Sequence, residues 1–169
     1  LSGELGRGDW AHKAKTIHDI ATSSFGLEDH VLICGYGRTG EQIGEFLNIE
    51  GIPFLALDID PQRTKRAVAN GGKVVFGNAD RSEVLQAAGL SRARAVVIAY
   101  PDRHSAERAL KAVRRKRENV PVIVRTADDA DVASLKQAGA TEVIPEVLEG
   151  SLMIAAETLA QIGVPMERA

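Results

Sequence analysis

Val31-Leu32-Ile33-Cys34-Gly35-Tyr36-Gly37-Arg38-Thr39-Gly40 decides the fold, because a short apolar run ends in three glycines spaced G-x-G-x-x-G. The run predicts a buried strand, and Ile43 and Leu47 just beyond it predict the inner face of a helix. Each glycine has a mechanical task in such a strand-to-helix turn. Gly35 permits the tight turn, Gly37 lets the backbone approach a phosphate, and Gly40 lets the helix pack closely on the strand. The N–H groups and the positive helix end at residues 37 to 40 then offer a seat for an anion.

Context turns this turn into a nucleotide signal. Asp58 lies 18 positions after Gly40, at the end of the next apolar run, where a carboxylate accepts hydrogen bonds from both ribose hydroxyls. Such a carboxylate repels a 2'-phosphate, so NAD-like or unphosphorylated adenosine ligands are favoured over NADP. Arg38 stands at the helix start, where a guanidinium clamps phosphate oxygens or pairs with a surface carboxylate, and both readings are open. Asp60 precedes Pro61 and is either a second polar contact to the ligand or a helix cap. Cys34 is a small buried strand residue.

Working outward, short apolar runs alternate with helical segments, the pattern of βαβ units and a parallel sheet. Strands are expected at Val31 to Cys34, Pro53 to Leu57, Lys73 to Phe76, Ala95 to Ala99, Val122 to Arg125 and Glu142 to Ile144. They are apolar throughout, as expected when helices cover both faces. Helices begin near Arg38, Pro61, Arg81, Asp102 and Asp128, and Gly71, Gly89 and Gly139 cap their ends. The expected fold is α/β: a Rossmann-type, doubly wound, six-stranded parallel sheet in the order 3-2-1-4-5-6. Ala99, closing the fourth strand, then faces Gly35 across the switch point of the sheet.

Three regions result: a linker and amphipathic helix over 1–29, the nucleotide-binding domain over 30–145, and a peripheral helix with a tail over 146–169. The first eight residues hold three glycines and read as linker, a segment left after loss of an N-terminal portion. Trp10, Ala14, Ile17 and Ala21 then mark the apolar stripe of a helix over residues 9–24. The last helix carries Leu148, Leu152, Ala155, Leu159 and Ile162 on one side, widened by Val147, Met153, Ala156 and Ala160. That arc exceeds the ~100° stripe that covers one sheet face. Either the helix caps the sheet edge deeply, or the surplus surface meets a second copy or another domain.

Composition narrows the function classes. With 21 basic against 23 acidic residues and a net charge of -2, no global field points to nucleic acid. One cysteine and four scattered histidines make no metal-ligand pattern, so no metal is expected. No apolar stretch approaches the ~20 residues that span a bilayer. Lys111, Arg114, Arg115, Lys116 and Arg117 form a basic run whose apolar stripe, Ala106, Ala109, Leu110 and Val113, leaves most cations on the solvent side or in the last turn, either as a plain solvated face or as a contact for a membrane surface or acidic partner. His104 has no orienting carboxylate in view, so no catalytic residue is assigned.

These residues resemble the TrkA-N family, also called the RCK N-terminal domain, a cytosolic regulatory module of bacterial potassium channels and transporters. The resemblance covers residue 30 to about 162. It is carried by Gly35-Tyr36-Gly37-Arg38-Thr39-Gly40, Leu57-Asp58-Ile59-Asp60-Pro61 and Phe76-Gly77-Asn78-Ala79-Asp80, with Ala87 to Leu90 and Gln137 to Glu146 also similar. Pro145 to Leu152 and Ile162 to Val164 are most similar to the Kef-type branch, whose membrane portion is a cation:proton antiporter.

The resemblance implies an adenine nucleotide, NAD(H) or AMP, held by the glycine turn and by Asp58, Ile59, Asp60, Asn78, Ala79, Asp80 and Ala99. It also implies a homodimer, a membrane-embedded transporter portion in the same longer chain, and a place at the cytoplasmic face of the bacterial inner membrane. Most relatives carry Asp where Asn78 stands, although an amide still bonds an adenine edge. In the Kef branch an arginine at the end of the fifth strand helps bind glutathione, and Arg125 occupies that position. The expected function is a nucleotide-responsive regulatory domain of a potassium efflux antiporter. The rivals are a free TrkA-like subunit and a small NAD-dependent oxidoreductase, the latter disfavoured because few residues follow the sheet to bury a substrate.

Overall fold

The computed structural model describes residues 2–164, so Leu1 and the tail over 165–169 lie outside the described residues. Six strands form one parallel sheet: β1 Val31–Cys34, β2 Phe54–Asp58, β3 Val74–Phe76, β4 Ala95–Ile98, β5 Val122–Thr126 and β6 Glu142–Pro145. Their order is β3-β2-β1-β4-β5-β6, as the alternation of elements predicts. Every neighbouring pair is parallel, so all six strands deliver their C-terminal ends to one edge.

Two helix layers explain why the central strands read as unbroken apolar runs. On one face Ile33, Phe54, Ala56 and Val74 pack against Ile43 and Leu47 of α2 (Arg38–Ile49) and Ala67 of α3 (Pro61–Ala69). On the other face Leu32, Cys34, Leu55 and Leu57 meet α4 (Ser82–Ala87), α5 (Arg103–Lys116) and α6 (Val132–Gln137). Burial on both sides pushes the Cys34 thiol up to about 12, so it stays protonated. Gly71, Gly89 and Gly139 all adopt positive φ after their helices, as C-terminal caps.

The N-terminal helix departs from the sequence reading in two ways. It runs from Ser2 to Ser24, so the glycine-bearing stretch read as linker is helical. Glycine lowers helix propensity by only about 1 kcal/mol per residue, which an otherwise continuous helix absorbs. The stripe is also rotated. Trp10, Ala14 and Ala21 are exposed, whereas Ile17, Ile20 and Ser24 face the domain. Gly77 is the cause: a Cβ there would come within 2.9 Å of the Ile20 side chain, so its absence makes the socket that Ile20 fills. Thus α1 completes the second helix layer beside α4 and over β3.

The final helix, α7 (Glu146–Gln161), follows β6 and has no buried residue. Deep capping of the sheet edge is therefore not its role in this structure. Val147, Leu148, Leu152, Met153, Ile154 and Ile162 all stand exposed.

Candidate functional site

β1 and β4 stay paired to their C-terminal ends at the switch point, where crossovers leaving on opposite faces are the place a doubly wound sheet opens a crevice. The glycine turn lines one wall. Gly35 has φ 101, and a side chain there would press on the Tyr100 ring and the Ala99 backbone. Gly40 is tighter still, since a Cβ would overlap the Gly35 carbonyl oxygen. Gly37 differs from both, because nothing lies within 4 Å of the position its side chain would take. The first two glycines let the chain close on itself, and Gly37 leaves the crevice open.

That open face is rich in hydrogen-bond donors. Gly37 is the N-cap of α2 and supplies no side-chain cap. The N–H groups of Arg38, Thr39 and Gly40 consequently lack intrahelical acceptors and point out of the helix end. Arg38 is exposed and makes no ion pair among the described residues, which leaves its guanidinium free for an anion. Tyr36 serves differently from its neighbours. Its ring stacks on Phe54 at 6.4 Å between centroids, over the gap left by Gly44, and its N–H is taken by Asp58.

Asp58 is fully buried at the end of β2. Its Oδ2 accepts from the Tyr36 N–H at 2.8 Å and its Oδ1 from the Asp60 N–H at 2.8 Å, so it ties the glycine turn to the start of α3. Arg63 Nη1 adds contacts of 3.2 and 3.3 Å to the two oxygens. Sequence reasoning missed Arg63. It also alters the charge argument against a 2'-phosphate, because a guanidinium lying between Asp58 and Asp60 offsets their field. Asp60 caps α3, accepting from the Gln62 and Arg63 N–H groups, and Ile59 beside it is half-exposed.

The opposite wall is the turn after β3. Asn78 is exposed and its Oδ1 accepts from the Asp80 N–H at 3.1 Å, leaving its amide nitrogen free. Ala79 is buried, and Asp80 is held at 3.2 Å by Arg108, a second guanidinium that local pattern did not single out. Ala99 is buried at the end of β4. The floor is Tyr100, whose buried hydroxyl has no hydrogen-bond partner among the described residues and whose pKa burial pushes up. The turn 35–40, residues 58–60, residues 78–80 and Ala99 all follow or close β1, β2, β3 and β4 at the C-terminal edge of the sheet, and Asp58 ties the turn to the entry of α3. Beside Asn78 a cavity of about 260 Å³ separates the β3–α4 turn from Asp9, His12, Lys13 and Thr16 of α1.

Two other expectations fall outside the crevice. Arg125, at the end of β5, is bound to Glu146 in the first turn of α7 at 2.7 Å. The basic run is not one solvated face: Arg114 donates to the carbonyls of Gly139, Val120 and Arg117, and Arg117 donates to those of Leu90 and Ala93. A guanidinium has five donors and satisfies loop carbonyls that a lone ammonium could not.

The family model of the TrkA-N domain matches residues 31–146, from the first residue of β1 to the start of α7. The chain belongs to the TrkA-N domain family. A protein of Alkalimonas amylolytica assigned as the K(+) efflux antiporter KefB is 41% identical over 143 residues, 85% of this chain and 22% of that protein. This TrkA-N domain therefore spans about a fifth of that relative's length. Among solved structures, the TrkA-N domain of the inner membrane protein YbaL from Escherichia coli superposes with a TM-score of 0.71 at 28% identity, covering 77% of this chain and 96% of that one. The Kef CTD of Shewanella denitrificans, solved in AMP-bound form, gives 0.68 at 26% identity, covering 79% and 81%. Among the described residues, no helix is long and apolar enough to cross a membrane.

Proposed function

We propose that this TrkA-N domain is the adenine-nucleotide-sensing regulatory domain of a Kef-type potassium efflux antiporter, held at the cytoplasmic face of a bacterial inner membrane. The observation that carries the reading is the uncapped start of α2 at the C-terminal edge of the sheet, on the same side of the switch point as Asp58 at the end of β2 and Asn78 after β3. The phosphate of AMP, or a phosphate of NAD(H), sits on the N–H groups of residues 37–40 with Arg38 beside it. Asp58 addresses the ribose, and Asn78 to Asp80 border the base. The AMP-bound Kef relative supports the choice of ligand, and the antiporter relative supports a transporter partner within the same longer chain.

Regulation follows from differential binding. A nucleotide shifts two arrangements of the domain only as far as it binds one more tightly than the other. The exposed apolar length of α7 supports assembly as a homodimer. Glutathione or a similar anionic ligand at Arg125 would have to take the guanidinium from Glu146. Hydride transfer is not part of this function. His104 is exposed in the first turn of α5.

Calorimetric titration with AMP and NAD tests the assignment, using Gly37→Val as control. The open surroundings of Gly37 predict that the variant folds normally yet loses at least about tenfold in affinity, as a side chain enters the phosphate seat. Equal affinity in both proteins would contradict the site.

A further inference from the structure

We propose that Arg63 sets the affinity of this seat by occupying the ribose position of Asp58, so that a ribose diol must displace its guanidinium to bind. The proposal rests on the reading of the crevice as an adenine-nucleotide seat. A carboxylate offers about four lone-pair directions. At Asp58 all four are taken: one by the Tyr36 N–H, one by the Asp60 N–H, and one on each oxygen by Arg63 Nη1. The Asp58 side chain is 1% exposed, so a ligand reaches it only after a present donor leaves.

The donors differ in their freedom to leave. The two N–H groups belong to the glycine turn and to the entry of α3, and moving either dismantles the turn that forms the phosphate seat. Arg63 hangs from the first turn of α3 with its side chain 45% exposed. It also has a partner to retreat to, since its Nη2 lies 3.9 Å from Asp60 Oδ2. Only Arg63 can yield without cost to the backbone. A ribose presents two hydroxyl donors, which match the two lone pairs that Nη1 vacates. The guanidinium remains beside Asp60 after displacement, so the seat keeps its charge balance. A nucleotide without the diol gains nothing from the exchange and leaves Arg63 in place.

The test compares AMP with 2',3'-dideoxy-AMP by calorimetry on the full chain and on Arg63→Met, which keeps the apolar stem and removes the donors. Both ligands are anions, and loss of a nearby cation weakens both alike, so the readout is the ratio of their affinities. The AMP to dideoxy-AMP ratio is expected to rise about three- to fivefold, the size expected when a half-exposed ion pair no longer has to be broken. Arg63→Ala should give the same rise, and thermal unfolding should confirm that both variants fold. An unchanged or lower ratio overturns the proposal while AMP binding by the unaltered chain keeps the seat. Absence of AMP binding to the unaltered chain and to both variants overturns the seat and the proposal together.

Discussion

Asp58→Asn separates the structural from the recognitional role of this carboxylate, because the substitution keeps shape and volume while it removes the charge and exchanges an acceptor oxygen for a donor nitrogen. The carboxylate accepts from two backbone N–H groups, Tyr36 and Asp60, through different oxygens. An amide offers one oxygen, so its nitrogen must face one of those donors. The Tyr36 bond is buried and the Asp60 bond is partly exposed, so the oxygen goes to Tyr36 and the Asp60 N–H turns to water. Losing one hydrogen bond to a charged group costs about 1.5 to 3 kcal/mol. The Arg63 contact, half-exposed, adds about 1 kcal/mol at most. The sum is a destabilisation of about 2 to 4 kcal/mol. At about 2 to 4 °C per kcal/mol for a chain of this size, the melting temperature falls by about 10 °C. Thermal unfolding followed by circular dichroism measures this directly. A fall below about 2 °C would refute the account of Asp58 as the tie between the glycine turn and α3.

Gly40→Ala places a methyl against the Gly35 carbonyl and should cost about 2 kcal/mol or more in urea denaturation, whereas full tolerance would mean that α2 slides away freely. Arg114→Met keeps the stem but strips the donors from three carbonyls, so a loss of about 2 kcal/mol is expected, against less than about 0.5 for Arg115→Met on the exposed side. His30 is buried, donates no second bond from Nδ1, and burial holds its pKa below the usual 6.5. The unfolded imidazole therefore takes up its proton first, and stability declines as pH falls below 6.5 until the folded pKa is passed. Denaturation between pH 7.5 and 5.5 should show that slope, and its full persistence in His30→Gln would exclude His30 as the source.

Much of the frame was readable because it rests on local rules. The apolar runs, the glycine caps at Gly71, Gly89 and Gly139, and the turn from Gly35 to Gly40 each carry their meaning within a few residues, and chirality then orders the sheet. The Asp60 cap was likewise written beside Pro61. What escaped depends on tertiary contact. The docked face of α1 is set by the socket at Gly77, far along the chain from Ile20. Arg108 on Asp80, 28 residues apart, becomes visible only when the elements converge, and Arg63, though five residues from Asp58, reaches it only through the bend from β2 into α3. Arg114 and Arg117 sat in a run of charge that looked solvated, and only the loops folding back gave them carbonyls to bind. In the site itself the residue types were legible, but the division of labour was not. Tyr36 and Asp58 read only as ligand contacts, and the structure adds a second task for each: the Asp58 carboxylate takes the Tyr36 N–H, and the Tyr36 ring stacks on Phe54.

An amide chemical-shift titration of the ¹⁵N-labelled chain with AMP tests the central claim most directly. Concerted shifts are expected at Gly37 to Gly40, Asp58 to Asp60 and Asn78 to Asp80, saturating together. Shifts confined to the cavity beside α1, at Asp9 to Ile17, or no shifts at millimolar AMP, would contradict it.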